Sequence, residues 1–157
     1  MKDVIYSNAQ SGNFHISIEG LESVQFKLYD FQHPMISAGS TRVGNTSDRQ
    51  NIMPGTHIDY DQLQVNFFVD EFWENYVECA LWLRDCLNSE PYTKTKNITL
   101  MPLDNNKEPF GLAFTFTDAF PINVAPIPLD KGSTTDILVG MTLEFEEMLI
   151  DRNWLGK

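Results

Sequence analysis

The stretch from Ile58 to Leu87, IDYDQLQVNFFVDEFWENYVECALWLRDCL, constrains the fold more than any other part of the chain. Leu63, Val65, Phe67 and Val69 alternate with Gln62, Gln64 and Asn66, the pattern of a strand with one dry and one polar side; Phe68 interrupts the polar side. Asp70 then stands where a helix N-cap belongs, and Glu71 and Glu74 fall in the electropositive first turn, so a helix is expected from Glu71 to Leu87. At 100° per residue, Phe72, Trp73, Tyr76, Val77, Ala80, Leu83 and Leu87 share an arc that would pack on the sheet. Glu71, Glu74, Glu78 and Asp85 share the opposite arc, with Trp82 near it. Trp82 is there either an exposed interface anchor or a side chain covered by a local loop.

Other segments add strands to this unit. Phe14, Ile16 and Ile18 alternate, and a second strand from Ser23 to Phe31, with Val24, Phe26 and Leu28 on one face, would complete a hairpin. A further hairpin joins Ile98–Leu103 to Phe110–Thr117 across the turn Asp104 to Pro109. Pro121, Pro126 and Pro128 argue against a central strand between Asp118 and Ser133, leaving an extended crossing there. The last strand spans Asp136 to Ile150, its alternation slipping at Glu146-Glu147-Met148, where a bulge or strand end is expected. The result is an α+β fold, a mainly antiparallel β-sandwich or barrel of about six strands with one packed helix.

Two segments stand apart. Residues 1 to 12 lack pattern and read as an N-terminal arm. Between His33 and Gly55 the apolar periodicity fails, giving a long extended loop that is either a surface excursion or an arm ordered against another subunit. The second alternative accounts for Ile36, Val43, Ile52 and Met53 in an otherwise polar segment. With 157 residues, one domain covers the whole chain.

Charge and motif content narrow the function. The net charge is −11, a field that repels phosphate and anionic lipid. Cys79 and Cys86 lie two helical turns apart, about 10 Å, too far for a disulfide. No stretch has the length and apolarity of a signal peptide or membrane span, so a soluble chain is expected. His15, His33 and His57 form no metal-ligand spacing, and Asp59, Asp61, Asp70 and Glu71 lack the glycine-turned loop of a calcium site. Phosphate-binding glycine loops and nucleophile elbows are also missing. The expectation is a non-enzyme without cofactor or metal.

The order Tyr60-Asp61-x-Leu63-x-Val65-x-Phe67-x-Val69-Asp70-Glu71, followed by Asn75-Tyr76 and Trp82-Leu83, resembles the tail-tube family of contractile bacteriophages. The late Phe120-Pro121-Ile122 crossing and long final strand complete the likeness. The resemblance implies a six-membered ring whose sheets join into one β-barrel around a channel, with rings stacked into a tube inside a virion tail. It implies self-association, contacts with sheath and baseplate or neck proteins, DNA passing without specific binding, no membrane, and assembly in the host cytoplasm. Gln62, Gln64, Asn66, Glu144 and Glu146 would line the channel. Ile36, Val43, Ile52, Met53 and Trp82 would make inter-subunit contacts. A tube-initiator or tail-completion protein at a tube end, an effector-carrier ring of an injection system and a monomeric ligand-binding β-barrel are the alternatives.

Overall fold

The computed structural model describes residues 7–46 and 49–153. Among them the elements run β1 (Phe14–Ile18), α1 (Glu22–Phe26), β2 (Leu28–Gln32), β3 (Ile36–Thr46), β4 (Arg49–Tyr60), β5 (Leu63–Phe68), α2 (Glu74–Asn88), β6 (Lys96–Pro102), β7 (Ala113–Val124), β8 (Leu138–Glu144) and β9 (Glu147–Asp151). Seven strands form one antiparallel sheet in the order β1-β6-β7-β8-β5-β2, with β9 added against β7. Among the described residues β3 and β4 pair only with each other.

The expected α+β class with a mainly antiparallel sheet is what the chain adopts. The main sheet turns a corner at β7. Residues Ala113 to Thr117 pair with β6 on one side and β9 on the other, whereas Phe120 to Val124 pair with β8. Between the two halves Asp118 takes a left-handed conformation, φ 51. Its carboxylate accepts a hydrogen bond from Thr95 Oγ1 at 2.8 Å, and its N–H donates to Asn97 Oδ1 at 3.3 Å. β8 and β9 follow the same corner across the break at Phe145-Glu146, where the alternation slips as the sequence anticipates.

The corner brings the dry faces of the two halves together. Leu63, Val65 and Phe67 of β5 meet Val139, Met141 and Leu143 of β8 in register, and Ile98 of β6 and Phe116 of β7 close the core opposite them. Phe116 and Phe145 pack edge to face at 5.0 Å, and Phe31 and Tyr60 extend that aromatic cluster. α2 covers β7 and buries Asn75, Cys79 and Trp82. The expected hairpin of β6 and β7 forms, its turn closed by hydrogen bonds from Asn106 and Glu108 N–H to Asp104 Oδ1; the second strand begins at Ala113, leaving Phe110 exposed.

Four expectations are corrected. Ser23–Phe31 is not one strand: α1 occupies its first half, and β1 pairs with β6 instead of β2. Leu21 and Val24, three apart and both buried, show why, because a helical turn places them on one side of the chain between strands in different halves of the sheet. The 33–55 segment is not an extended loop but most of a long β-hairpin, since backbone pairing needs no apolar periodicity. The proline-rich crossing at 118–124 is strand, the second half of β7. Pro121 is tolerated because β8 is the one strand beside that stretch, so no second ladder requires its missing N–H. Finally, α2 starts at Glu74 rather than Glu71, after Trp73 in a left-handed conformation, φ 61. That delay turns the helix, so Phe72 and Leu87 stay exposed while Asn75, Cys79 and Trp82, spaced i, i+4, i+7, face the core.

Candidate assembly surfaces

The side of the main sheet away from the core is a polar surface built by register. Gln64 of β5 stands opposite Thr142 of β8 and Gln32 of β2, and Asn66 opposite Gly140 and Asp30. Asn66 Nδ2 donates to Asp30 Oδ1 at 2.6 Å, and Gln62 Nε2 to Glu144 Oε1 at 3.1 Å. Gln62, Gln64, Asn66 and Glu144 therefore do share one face. Glu146 does not join them: it lies in the β8–β9 break, beyond the β5 register, where its N–H donates to the Thr117 carbonyl at 2.9 Å. Sequence alternation placed it with Glu144, and the bulge it also signalled is what separates them.

The polar face ends in an apolar row. Phe68, the last residue of β5, sits opposite Leu138, the first of β8, and its ring meets Tyr29 of β2 edge to face at 5.3 Å. Tyr29 is 59% exposed, and Phe72, four residues past Phe68, is 80% exposed. Tyr29 reaches this position through the irregularity between Leu28 and Asp30 in the β2–β5 register, which no sequence pattern signals.

The turn that follows is fixed by a buried polar hub. Asn75 Nδ2 donates to the Phe68 carbonyl at 2.7 Å, while Asn75 Oδ1 accepts from Asp70 N–H at 3.2 Å and Tyr76 N–H at 2.8 Å. Asp70 returns its carboxylate to the N–H groups of Glu74 and Asn75 at 2.8 and 3.3 Å. The N-cap position of α2 is thus Trp73 rather than Asp70, while the Asp70 carboxylate still accepts from the first two helical N–H groups, and the Asn75 of the Asn-Tyr pair joins strand to helix.

The β3–β4 hairpin leaves from the opposite end of β5. Its base is held by Asp61 N–H donating to the Met35 carbonyl at 3.0 Å and by Tyr60 packing on Phe145. Ile36 pairs with Tyr60, Ala38 with Ile58, Ser40 with Pro54 and Arg42 with Ile52, which sets Ile36, Ile52, Pro54 and Ile58 along one face. Ile52 and Ile58 are 68% and 60% exposed, and Ile36 is also open to solvent. Met53 pairs with Thr41 on the other face and is exposed too, while Val43 stands opposite Asn51 in the ladder. Gly55 is required where the strands touch, since a Cβ there would lie 2.1 Å from the Gly39 carbonyl oxygen.

Trp82 is not on an outer surface. It is 5% exposed, and its Nε1 donates to the Lys94 carbonyl at 2.8 Å, so the loop after α2 covers it and the interface alternative falls away. Beside it, Leu83, Leu87, Tyr92, Phe120 and Ile122 line an apolar groove along the free side of β7. Cys79 and Cys86 are both free thiols, and burial pushes Cys79 up to about 12, with Glu78 adding to the shift. Among the described residues no grouping of three His, Cys, Asp or Glu side chains could hold a metal, and no helix is long and apolar enough to cross a membrane.

No family model matches the sequence, and no curated protein matches it. Solved structures do. One titled as the anti-feeding prophage cap, the AFP tube terminating cap, superposes with TM-score 0.71 at 12% identity, over 96% of this chain and 95% of that one. This is the tail-tube fold. A chain from the sheath/tube terminator of an extracellular contractile injection system, PVC, gives TM-score 0.68 at 14% identity, over 94% and 99%. One from the PVC sheath-tube complex gives 0.67 at 14%, over 93% of each chain. The tail-tube fold accounts for the bent sheet, the single long helix beneath it and the projecting hairpin; at these identities the likeness is one of fold.

Proposed function

We propose that the chain is a structural ring subunit of the tube of a contractile, phage-tail-like assembly. The observation that carries this reading is the four-stranded part of the sheet, β2-β5-β8 and the second half of β7. Its polar face is regular, and among the described residues its two outer strands are unpaired along their free sides. Open edges of this kind recruit further strands, and a cyclic arrangement of six copies would use both edges of every copy and leave none bare. The face with Gln62, Gln64, Asn66 and Glu144 would then turn inward as the wall of a channel.

The carboxylates of Asp30 and Glu144, unaccompanied by Lys or Arg among the residues named on that face, suit a wall past which DNA slides without adhering. Sheath, baseplate or neck proteins would surround the tube in a virion tail assembled in the host cytoplasm, and the role needs no catalysis.

A tube-end position is the second reading. The likeness to a tube terminating cap and to a sheath/tube terminator favours it. Light scattering with negative-stain microscopy on the purified chain separates the readings. Six-fold rings that grow into tubes are expected of a repeating subunit, and rings that stop at one or two layers of an end protein. A monodisperse monomer at high concentration would sink both.

A further inference from the structure

The polar face and the apolar row that ends it lie on the same side of the same three strands. Gln64, Asn66 and Phe68 alternate along β5, and Thr142, Gly140 and Leu138 along β8, so register puts Phe68 and Leu138 on the polar wall rather than in the core. Tyr29 of β2 meets Phe68 edge to face, which extends the row across β2, β5 and β8. Tyr29 and Leu138 are both open to solvent. The row continues into a cleft of about 280 Å³, where Leu138 is joined by Pro128, Leu129, Asp130 and Asp136. That size is at the low end for ligand pockets, so the cleft seats side chains of a larger partner rather than a free small molecule.

Charge identifies the partner. Asp30 stands opposite Asn66, about 7 Å along the strand from the row, and Asp130 and Asp136 line the cleft beyond Leu138. Lys27 and Lys131 are the cations of the flanking segments, and neither lines the cleft. A nucleic acid would bring its phosphates to these carboxylates and is disfavoured. Apolar side chains with ammonium or guanidinium groups one helical turn away satisfy both features, since a turn advances about 5.4 Å.

We infer that the Tyr29-Phe68-Leu138 row and its cleft bind a basic amphipathic helix of a partner protein, with the partner's apolar side chains against the row and its lysines or arginines against Asp30, Asp130 and Asp136. In the ring reading above, six copies of the row form an apolar collar at one mouth of the channel, and the helix seats there. That placement rests on the ring reading, whereas the row itself belongs to a single chain.

The test uses the full-length chain and a fluorescent peptide of about 18 residues, built from Leu and Lys with the leucines at i, i+4 spacing and long enough to hold a helix. Saturable binding is expected, weakened about tenfold by Tyr29→Ser and likewise by Leu138→Ser. Added salt should weaken it too, as should Asp30→Asn combined with Asp136→Asn. Tyr29→Phe keeps the ring and should keep the affinity. Equal affinity for a scrambled peptide of the same composition would overturn the helix assignment. Undiminished binding by the Tyr29→Ser and Leu138→Ser variants would overturn the site, as would tighter binding of duplex DNA. Hydrogen exchange on the unaltered chain reads the same site without any substitution: amides around Tyr29, Phe68 and Leu138 should gain protection when the peptide is added, and protection confined to other segments would overturn the assignment. Light scattering reads ring formation independently. A chain that binds the peptide as a monomer and forms no rings overturns the ring reading and the collar with it, but not the helix partner; rings that leave the peptide unbound overturn the helix partner alone.

Discussion

The main sheet and the β3–β4 hairpin are both antiparallel β-structure from one chain, yet they are built on different terms. In β5, each inward side chain is fully covered by its own subunit: Leu63, Val65 and Phe67 are buried in one core with residues of β8, β7 and α2. In the hairpin, Ile36, Ile52 and Ile58 share a face interrupted by a register shift between Ala38 and Ser40, and all three stay exposed among the described residues. Hydrophobic burial stabilises the sheet within one chain, whereas the hairpin gains little from that term among the described residues of its own chain. The lesson is that a dry face marks where contact is made and leaves open whether the partner is internal.

That contrast orders the expected effects of substitution. Phe67→Ala removes a fully buried ring between β5 and β8 and should cost about 3 to 5 kcal/mol in denaturant unfolding of the unassembled chain. Asn75→Ala should cost roughly 2 to 4 kcal/mol, because the Phe68 carbonyl and the Asp70 and Tyr76 N–H groups all lose their partner. Less than half of that loss would mean that water replaces the hub.

Cys79 makes the sheet's interior sensitive to alkali. Its thiol stays neutral in the fold up to about 12, whereas in the unfolded chain it ionises near its ordinary 9.0. Above pH 9 the unfolded state therefore binds fewer protons, so stability falls as pH rises from 9 toward 12, by up to about 1.4 kcal/mol per unit. Equilibrium unfolding of Cys79→Ala against the unaltered chain should show a shallower decline over that window. Equal slopes would place the thiol in contact with solvent.

In the hairpin the same kinds of change should barely register in the isolated chain. Gly55→Val breaks the close approach to Gly39 and should unpair the ribbon, yet the main sheet's unfolding midpoint should stay nearly constant. Ile52→Asp should alter the chain's stability by less than about 0.5 kcal/mol, since its side chain is already in water. A large effect of Ile52→Asp on the monomer would erase the distinction between the two regions.

How much of this was legible in the sequence follows the same division. The dry and polar sides of β5 and β8 were readable because strand periodicity and burial coincide there, and four of the five residues assigned to the polar face meet on it. Glu146 stands apart because β8 ends at Glu144 and the chain turns there toward β9, where the Glu146 N–H bonds the Thr117 carbonyl instead of a β5 partner. The rotation of α2 was hidden in Trp73, whose left-handed backbone delays the helix by three residues and sends Trp82 inward. No pattern of apolar residues encodes that turn. The hairpin is not legible as one because Ser, Thr, Asn and Gly obscure a ladder that depends on backbone groups alone; Ile36, Ile52 and Met53, which the sequence reading assigns with Val43 to inter-subunit contacts, are exposed along it.

Hydrogen–deuterium exchange on the dilute chain and on its assembled form tests the central claim most directly. Amides of β5 and β8 should be strongly protected in both states. Those of β3 and β4 should exchange rapidly in the dilute chain and become protected only on assembly. A hairpin already as protected as β5 in the isolated chain, or one that gains nothing on assembly, would contradict the account.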